Sequence, residues 1–172
     1  MENIINTIKE LIPYIIIVIA VIVIRTFIIT PVVVNGDSMV PTLKDGQLLL
    51  LTKYNINYKR NDIVVLTKAI SENSKKEKLV KRIIGLPGEY IEYKDGKLYI
   101  DGKKSKDNFA KFTDDFFLEA IDIDMKTIPE GKYLVLGDNR TNSIDSRTIG
   151  LIDESEIDGI VNFSLWPFEK ID

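Results

Sequence analysis

A mostly-β domain behind a single membrane-spanning helix is the fold this sequence predicts, on three observations. One long apolar run lies near the N-terminus, short β-branched runs parted by turn residues follow it, and two Asp-Gly steps flank a short apolar run in YKDGKLYIDGKK. With 172 residues and 45% hydrophobic content the chain suffices for one well-packed domain, and it has no internal repeat or low-complexity tract.

The apolar run is LIPYIIIVIAVIVIRTFIIT, residues 11–30, with Arg25 as its only charge. About 20 helical residues rise about 30 Å, the hydrocarbon thickness of a bilayer. The run is apolar on every side, so it lacks the polar face of a surface helix, and a domain this small could hardly enclose it. No small-x-small cleavage pattern follows it, which argues against a removable leader. Arg25 stands near one end, where a long side chain reaches the headgroups at modest cost. Lys9 against Glu2 and Glu10 is too weak a cue for charge counting to orient the span. The expected division is a tip and membrane helix in residues 1–30 and a β-rich domain in residues 31–172.

After Pro31 the candidate strands are residues 31–35, 47–51, 62–67, 78–84, 90–93, 97–100, 132–136 and 157–165, with a tight hairpin at Asp95-Gly96. Two segments read as peripheral: the charged loop SENSKKEK, and residues 103–130, where acidic residues mix with Phe109, Phe112, Phe116 and Phe117 around a short helix.

Composition narrows the chemistry. A net charge of -3 offers no basic surface for a phosphate backbone, so no nucleic-acid partner is expected. Cysteine and histidine are both absent, which removes disulfides, thiolate nucleophiles, the usual zinc sites and every imidazole base. A nucleophilic mechanism is left with Ser, Thr, Lys or a carboxylate as nucleophile, and with a carboxylate, an amine or a tyrosine as base.

Three places could carry such chemistry. In NGDSMVPTL, Ser38 stands in a turn cluster ahead of Pro41; alone it reads as a loop serine. Lys81 stands inside LVKRIIGLPG, where strand alternation sends Lys81 and Arg82 to opposite faces, so at least one of the two is partly buried. Burying an ammonium favours the neutral amine, whereas an unperturbed lysine near pKa 10.4 is neutral only about once in 2,500 molecules at pH 7. The competing reading of Lys81 is a stem that packs while its head reaches water. The third place is GDNRTNSIDSRTIG, which follows the apolar strand KYLVL and crowds Asp138, Arg140, Asp145 and Arg147 into one loop with Asn139, Ser143 and Ser146. That loop reads as a hydrogen-bonded cluster or as a polar turn.

Taken together, GDSMVPTL at Ser38, RNDIVVL at residues 60–66, KRIIGLPG at residues 81–88 and GDNRTNSIDSR at residues 137–147, in this order after an N-terminal span, resemble the bacterial type I signal peptidases in their single-span form. The resemblance covers most of the chain and implies an antiparallel β-sheet catalytic domain. It implies that Ser38 is the nucleophile, that Lys81 is the general base, and that the Ser143 hydroxyl supports the lysine nitrogen. Arg82, Asp138, Asp145 and Arg147 are then an ion-paired scaffold. The Ser38 backbone N–H is an oxyanion donor. Some members of the family carry a serine two residues before the nucleophile as a second donor; here that position is Gly36, which leaves the second donor open.

The resemblance also implies cutting after small residues, with Val32, Val34, Leu43, Leu49, Val65 and Val80 lining the pockets and the substrate added as a strand beside residues 32–34 and 79–81. No cofactor and no metal are expected. The expected partners are secretory preproteins and the lipid bilayer, and the expected state is a monomer. The N-terminus is expected in the cytoplasm and the catalytic domain outside, with Trp166 and Phe168 at the headgroup layer. A soluble serine-lysine autoprotease is disfavoured by the membrane span, and a non-catalytic anchored binding module by the presence of both Ser38 and Lys81.

Overall fold

The computed structural model describes residues 2–171 except 55, 72–73, 110–115, 119–120 and 122–125; at residues 2–8 and Phe117 the backbone alone is described. The N-terminal run is one helix, α1 (Glu2–Phe27), whose Lys9–Phe27 stretch has a mean hydropathy of 2.3 and none of its surface buried against the rest of the chain. The helix starts earlier than the apolar run and ends before it. Ile29 and Thr30, expected in the helix, already belong to β1 (Ile29–Val33), because their β-branched side chains pair against the next strand. The first strand is accordingly shifted from the expected 31–35.

The remaining strands are β2 (Leu48–Thr52), β3 (Ile63–Ala69), β4 (Lys76–Gly85), β5 (Ile91–Lys94), β6 (Lys97–Ile100), β7 (Lys103–Lys104), β8 (Phe116–Phe117), β9 (Lys132–Leu136), β10 (Ile152–Asp153), β11 (Ile157–Trp166) and β12 (Phe168–Lys170). A one-turn helix, α2 (Ser146–Ile149), and a 3₁₀ turn (Glu154–Glu156) complete the described elements. Every strand pairing is antiparallel.

The larger sheet runs β1-β2-β11-β3-β4-β9-β10, with β12 folded back on β11. β1 is therefore an edge strand, and β4 pairs with β3 along Lys76 to Arg82 while β9 joins it only from Arg82 onward. Two half-open backbone edges result. The smaller sheet, β7-β6-β5-β8, is built on the Asp95-Gly96 hairpin, where Asp95 and Gly96 both have positive φ, 52° and 67°.

Each sheet brings its own core. Ile91, Tyr93, Leu98, Leu134 and Leu136 cluster on the small-sheet side; Val34, Met39, Leu43, Leu49, Leu51, Val65 and Val161 cluster beneath the β1 edge. The segment 103–130, expected to be peripheral, contributes two strands and buries Phe116, Leu118 and Ile128 in the first of these clusters. Phe116 belongs to a core rather than to a surface loop. The charged loop also ends sooner than expected, because β4 begins at Lys76. The short helix expected within 103–130 and Phe112 fall largely outside the described residues.

Candidate active site

Lys81 lies in mid-strand on β4, opposite Val64 of β3, and Ser38 lies in the turn cluster that follows β1. Folding sets Lys81 Nζ 2.8 Å from Ser38 Oγ, and Nζ also donates to the Val80 carbonyl at 2.8 Å. The side chain does not snorkel. Lys81 is 2% exposed, and burial lowers its pKa from the ordinary 10.5 to about 8, although Asp145 and Asp138 pull the other way by attracting the ammonium. An amine with that pKa is neutral in about one molecule in ten at pH 7.

Arg82 is buried as well. Strand alternation puts it on the other face, where Nε and Nη2 form a bidentate pair with Asp138 at 2.9 and 2.8 Å, both side chains fully buried. Nη1 donates to the Asn61 carbonyl, the Thr42 hydroxyl donates to Asp138, and the Phe109 ring stacks 3.5 Å from the guanidinium carbon. Asp145 is fully buried as the N-cap of α2; its carboxylate accepts from Arg147 Nε and Nη2, both at 2.8 Å, and from the Gly137 N–H at 3.0 Å. These two pairs fix both ends of the loop that begins at Gly137. The loop in turn holds the turn around Ser38, since Asn139 donates its N–H to the Ser38 carbonyl and its side-chain amide to the Asp37 carbonyl, each at 3.0 Å.

One expected contact is not made, and the position left open for a second oxyanion donor is already engaged. The Ser143 hydroxyl, expected to bond the lysine nitrogen, is buried without a hydrogen-bond partner among the described residues. It is wedged against Gly137, where a Cβ would stand 2.2 Å from Ser143 Oγ and 2.6 Å from the Ser38 carbonyl oxygen. Gly36 supplies no second oxyanion donor. It lacks a side chain, and its N–H is held at 2.7 Å by the Asp45 carboxylate, in a turn that needs its φ of +86°. The Ser38 N–H has no hydrogen-bond partner among the described residues.

Ser38 and Lys81 stand where two lobes of a cleft meet. One lobe, of about 340 Å³, lies between Val32, Val33 and Val34 of the first wall and Lys78, Leu79 and Val80 of the second, with Met39 and Val65 also lining it. The other, of about 530 Å³, is bordered by Asp37, Ile70, Glu77, Thr141, Asn142, Ser143 and Ile144. Of the six expected pocket residues, Val32, Val34, Val65 and Val80 line the first lobe. Leu43 and Leu49 do not: both have 0% exposure and pack in the core behind Val34 and Met39, because the strand and turn carrying them face inward. Leu79, expected only as part of the strand beside the substrate, also lines the first lobe, and sequence reasoning missed Met39 and Asn35, although Met39 is adjacent to Ser38. It also missed Asp107 and Phe109, for which no local pattern gave a signal.

Among the described residues no cluster of His, Cys, Asp or Glu suits a metal ion.

Comparison with known proteins agrees with this geometry. The family described as "Signal peptidase, peptidase S26" matches residues 5–166. The chain is 37% identical to the signal peptidase IB of Staphylococcus aureus strain Mu50, over 94% of this chain and 93% of that one, and 40% identical to the signal peptidase I of Bacillus amyloliquefaciens, over 91% and 86%. A crystal structure of a signal peptidase I from Enterococcus faecalis V583 superimposes with a TM-score of 0.53 at 35% identity, covering 61% of this chain and 97% of that one. With an antiparallel β-rich fold, an N-terminal apolar helix and a family match along almost its whole length, the chain belongs to the signal peptidases of peptidase family S26 and is a serine peptidase.

Proposed function

We propose that this protein removes signal peptides from secretory preproteins at the bilayer surface, with Ser38 as nucleophile and Lys81 as general base. The observation that carries the reading is the desolvated amine 2.8 Å from the Ser38 hydroxyl. The neutral Nζ takes the hydroxyl proton as Oγ attacks the scissile carbonyl. The resulting ammonium then protonates the leaving amine, and an acyl-enzyme remains. The same nitrogen, neutral again, deprotonates a water that attacks the ester and frees Ser38. Arg82, Asp138, Asp145 and Arg147 touch none of the reacting atoms; they hold the loop and the strand that carry the pair. Ser143 lies beside them in the cleft, and its role as a supporting hydroxyl rests on the family resemblance alone.

The valine-lined lobe supports a preference for small residues before the cut, since its walls leave little room for a large one. An extended peptide would lie between the open edges of β1 and β4 and pair with both. Both walls and the reacting pair come from one chain, so a monomer suffices. The helix anchors the domain next to substrates whose own signal segments are in the bilayer, which raises their effective concentration. In this reading the N-terminus is cytoplasmic and the catalytic domain extracytoplasmic. Trp166 and Phe168, 75% and 76% exposed, rest against the headgroups, and undiminished vesicle binding of the isolated domain (residues 31–172) on Trp166→Ala would count against that placement.

The test is incubation of the purified full chain in detergent with a secretory precursor bearing small residues before its cleavage point. Wild type is expected to cut it. Ser38→Ala and Lys81→Ala are each expected to keep the fold by circular dichroism and lose the cut. Cleavage that survives Lys81→Ala at neutral pH would remove the lysine from the mechanism.

A further inference from the structure

We infer that the Asn35 side-chain amide is the second oxyanion donor of this active site. The inference rests on the Ser38 and Lys81 reading above and goes beyond it. The carbonyl under attack by Ser38 must sit at the junction of the two lobes, with the acyl side along the valine walls and the leaving side beyond. Among the described residues four border both lobes: Asn35, Ser38, Leu79 and Lys81. Ser38 and Lys81 are the reacting pair, and Leu79 is apolar. Asn35 alone among the four carries a neutral side-chain N–H donor, and it stands at the junction where negative charge develops.

That donor is uncommitted. Asn35 is exposed, and its amide has no hydrogen-bond partner among the described residues. The alternatives nearby are occupied or displaced. The Gly36 N–H is held by Asp45, and Gly36 offers no side chain. The Asn139 amide is held on the Asp37 carbonyl, and the Thr141 hydroxyl donates to Asn139. Asn142 borders only the lobe away from the valine walls. The turn is open where the donor must reach, since a Cβ built on Gly36 meets nothing within 4 Å. The Ser38 N–H and the Asn35 amide thus form a two-donor site, with the amide doing at residue 35 what a hydroxyl at residue 36 would do.

A donor that acts on the oxyanion strengthens in the transition state and leaves ground-state binding alone, so its loss falls on kcat. The full chain in detergent, assayed on a precursor with small residues before the cut, is therefore compared as wild type, Asn35→Ala, Asn35→Gln and Asn35→Asp. Asn35→Ala is expected to lower kcat roughly a hundredfold, in the range found for single oxyanion donors, with KM within about twofold. Asn35→Gln, which keeps the amide, is expected to recover part of the loss. Asn35→Asp, which places a carboxylate against the oxyanion, is expected to fall below Asn35→Ala at pH 8. A peptide boronic acid, whose tetrahedral adduct mimics the intermediate, is expected to lose affinity for Asn35→Ala by about the factor lost in kcat/KM. A kcat loss under about fivefold, or a loss carried by KM, overturns the assignment, the latter by making Asn35 a ground-state contact. A wild-type protein that cuts no precursor sinks the Ser38 and Lys81 reading and this one with it. A wild-type cut matched by Asn35→Ala sinks only Asn35.

Discussion

Asp107 and Arg140 form a buried ion pair, 2.6 Å from Oδ2 to Nη2 with side chains 7% and 1% exposed, and through it the smaller sheet grips the loop of the active site. Arg140 also donates from Nε to the Gly137 carbonyl and from Nη1 to the Tyr93 hydroxyl, each at 2.9 Å, and Arg147 reaches the Arg140 carbonyl. Burial above all pushes the Tyr93 phenol well up from its ordinary value, so it stays a neutral donor to Asp107. The chain from Tyr93 and Asp107 through Arg140 to Gly137 and Asn139 ends on the Ser38 carbonyl.

Removing the Asp107 charge leaves Arg140 buried without its carboxylate. Asp107→Asn is expected to destabilise the protein by roughly 3 kcal/mol, since breaking a buried pair costs more than the pair contributes. Urea unfolding followed by tryptophan fluorescence measures it. The double variant Asp107→Leu, Arg140→Met is expected to be less destabilised than Asp107→Asn; equal or greater loss would mean that the hydrogen bonds to Tyr93 and Gly137 outweigh the charge pairing.

The depressed pKa of Lys81 makes stability depend on pH. Between about 8 and 10.5 the unfolded lysine holds a proton that the folded one has released, so folded stability rises with pH across that window, is fully present above it and is lost as pH falls through about 8. The window is worth about 3 kcal/mol. Comparing Lys81→Met with wild type cancels the other titrating groups. The advantage of the Met variant is expected to be greatest below pH 8 and to shrink by about that amount above pH 10.5; unfolding midpoints in urea at several pH values give the difference.

The same shift sets the rate profile. Activity on a secretory precursor is expected to rise with pH through an apparent pKa near 8, where the amine becomes the neutral base. A rise centred instead near 10.5, the ordinary lysine value, would show that the amine is solvated during turnover.

Gly137 leaves no room for a methyl group. Gly137→Ala places a Cβ within 2.6 Å of both the Ser143 side chain and the Ser38 carbonyl oxygen, one of them backbone, so the turn around Ser38 has to shift. Misplacement by about 1 Å costs on the order of a hundredfold in rate. Single-turnover kinetics on the folded variant are expected to show that loss in the acylation step, while Gly131→Ala, which meets no neighbour, loses a little stability from its positive φ and keeps its rate.

Val65 is a wall of the smaller lobe that is 1% exposed. Val65→Ala enlarges the lobe and is expected to improve cleavage after a larger residue, such as Val, relative to Ala by roughly tenfold in kcat/KM, the scale of one or two methylenes in an apolar pocket. Competition between two precursors differing only in that residue reads the ratio directly. Leu49→Ala, deeper in the core, is expected to cost stability and leave the ratio alone.

Much of the site was legible because its residues come in local motifs. Ser38 in its turn, Lys81 beside Arg82 in an apolar strand, and the acid and base pattern of residues 137–147 each announce themselves within a dozen residues. Contacts made by pairing distant segments left no such trace. Asp107 gives no sign of Arg140, which lies 33 positions on, and Phe109 none of Arg82, because an ion pair or a ring stack imposes no period on the sequence. The segment 103–130 looked peripheral for the same reason: its phenylalanines are spaced irregularly, and only the smaller sheet supplies the face that Phe116 and Leu118 fill.

By itself the sequence determined the N-terminal apolar helix, the β-rich body, the Asp95-Gly96 hairpin and the exclusion of thiol and imidazole chemistry, because length, apolar periodicity and residue type act locally. Only the tertiary structure decided which valines line the cleft, that Leu43 and Leu49 do not, that Gly36 gives its N–H to Asp45, and that the Lys81 amine is buried with its pKa lowered. Burial and direction are properties of a packed surface, and a side chain acquires them only when remote strands close over it.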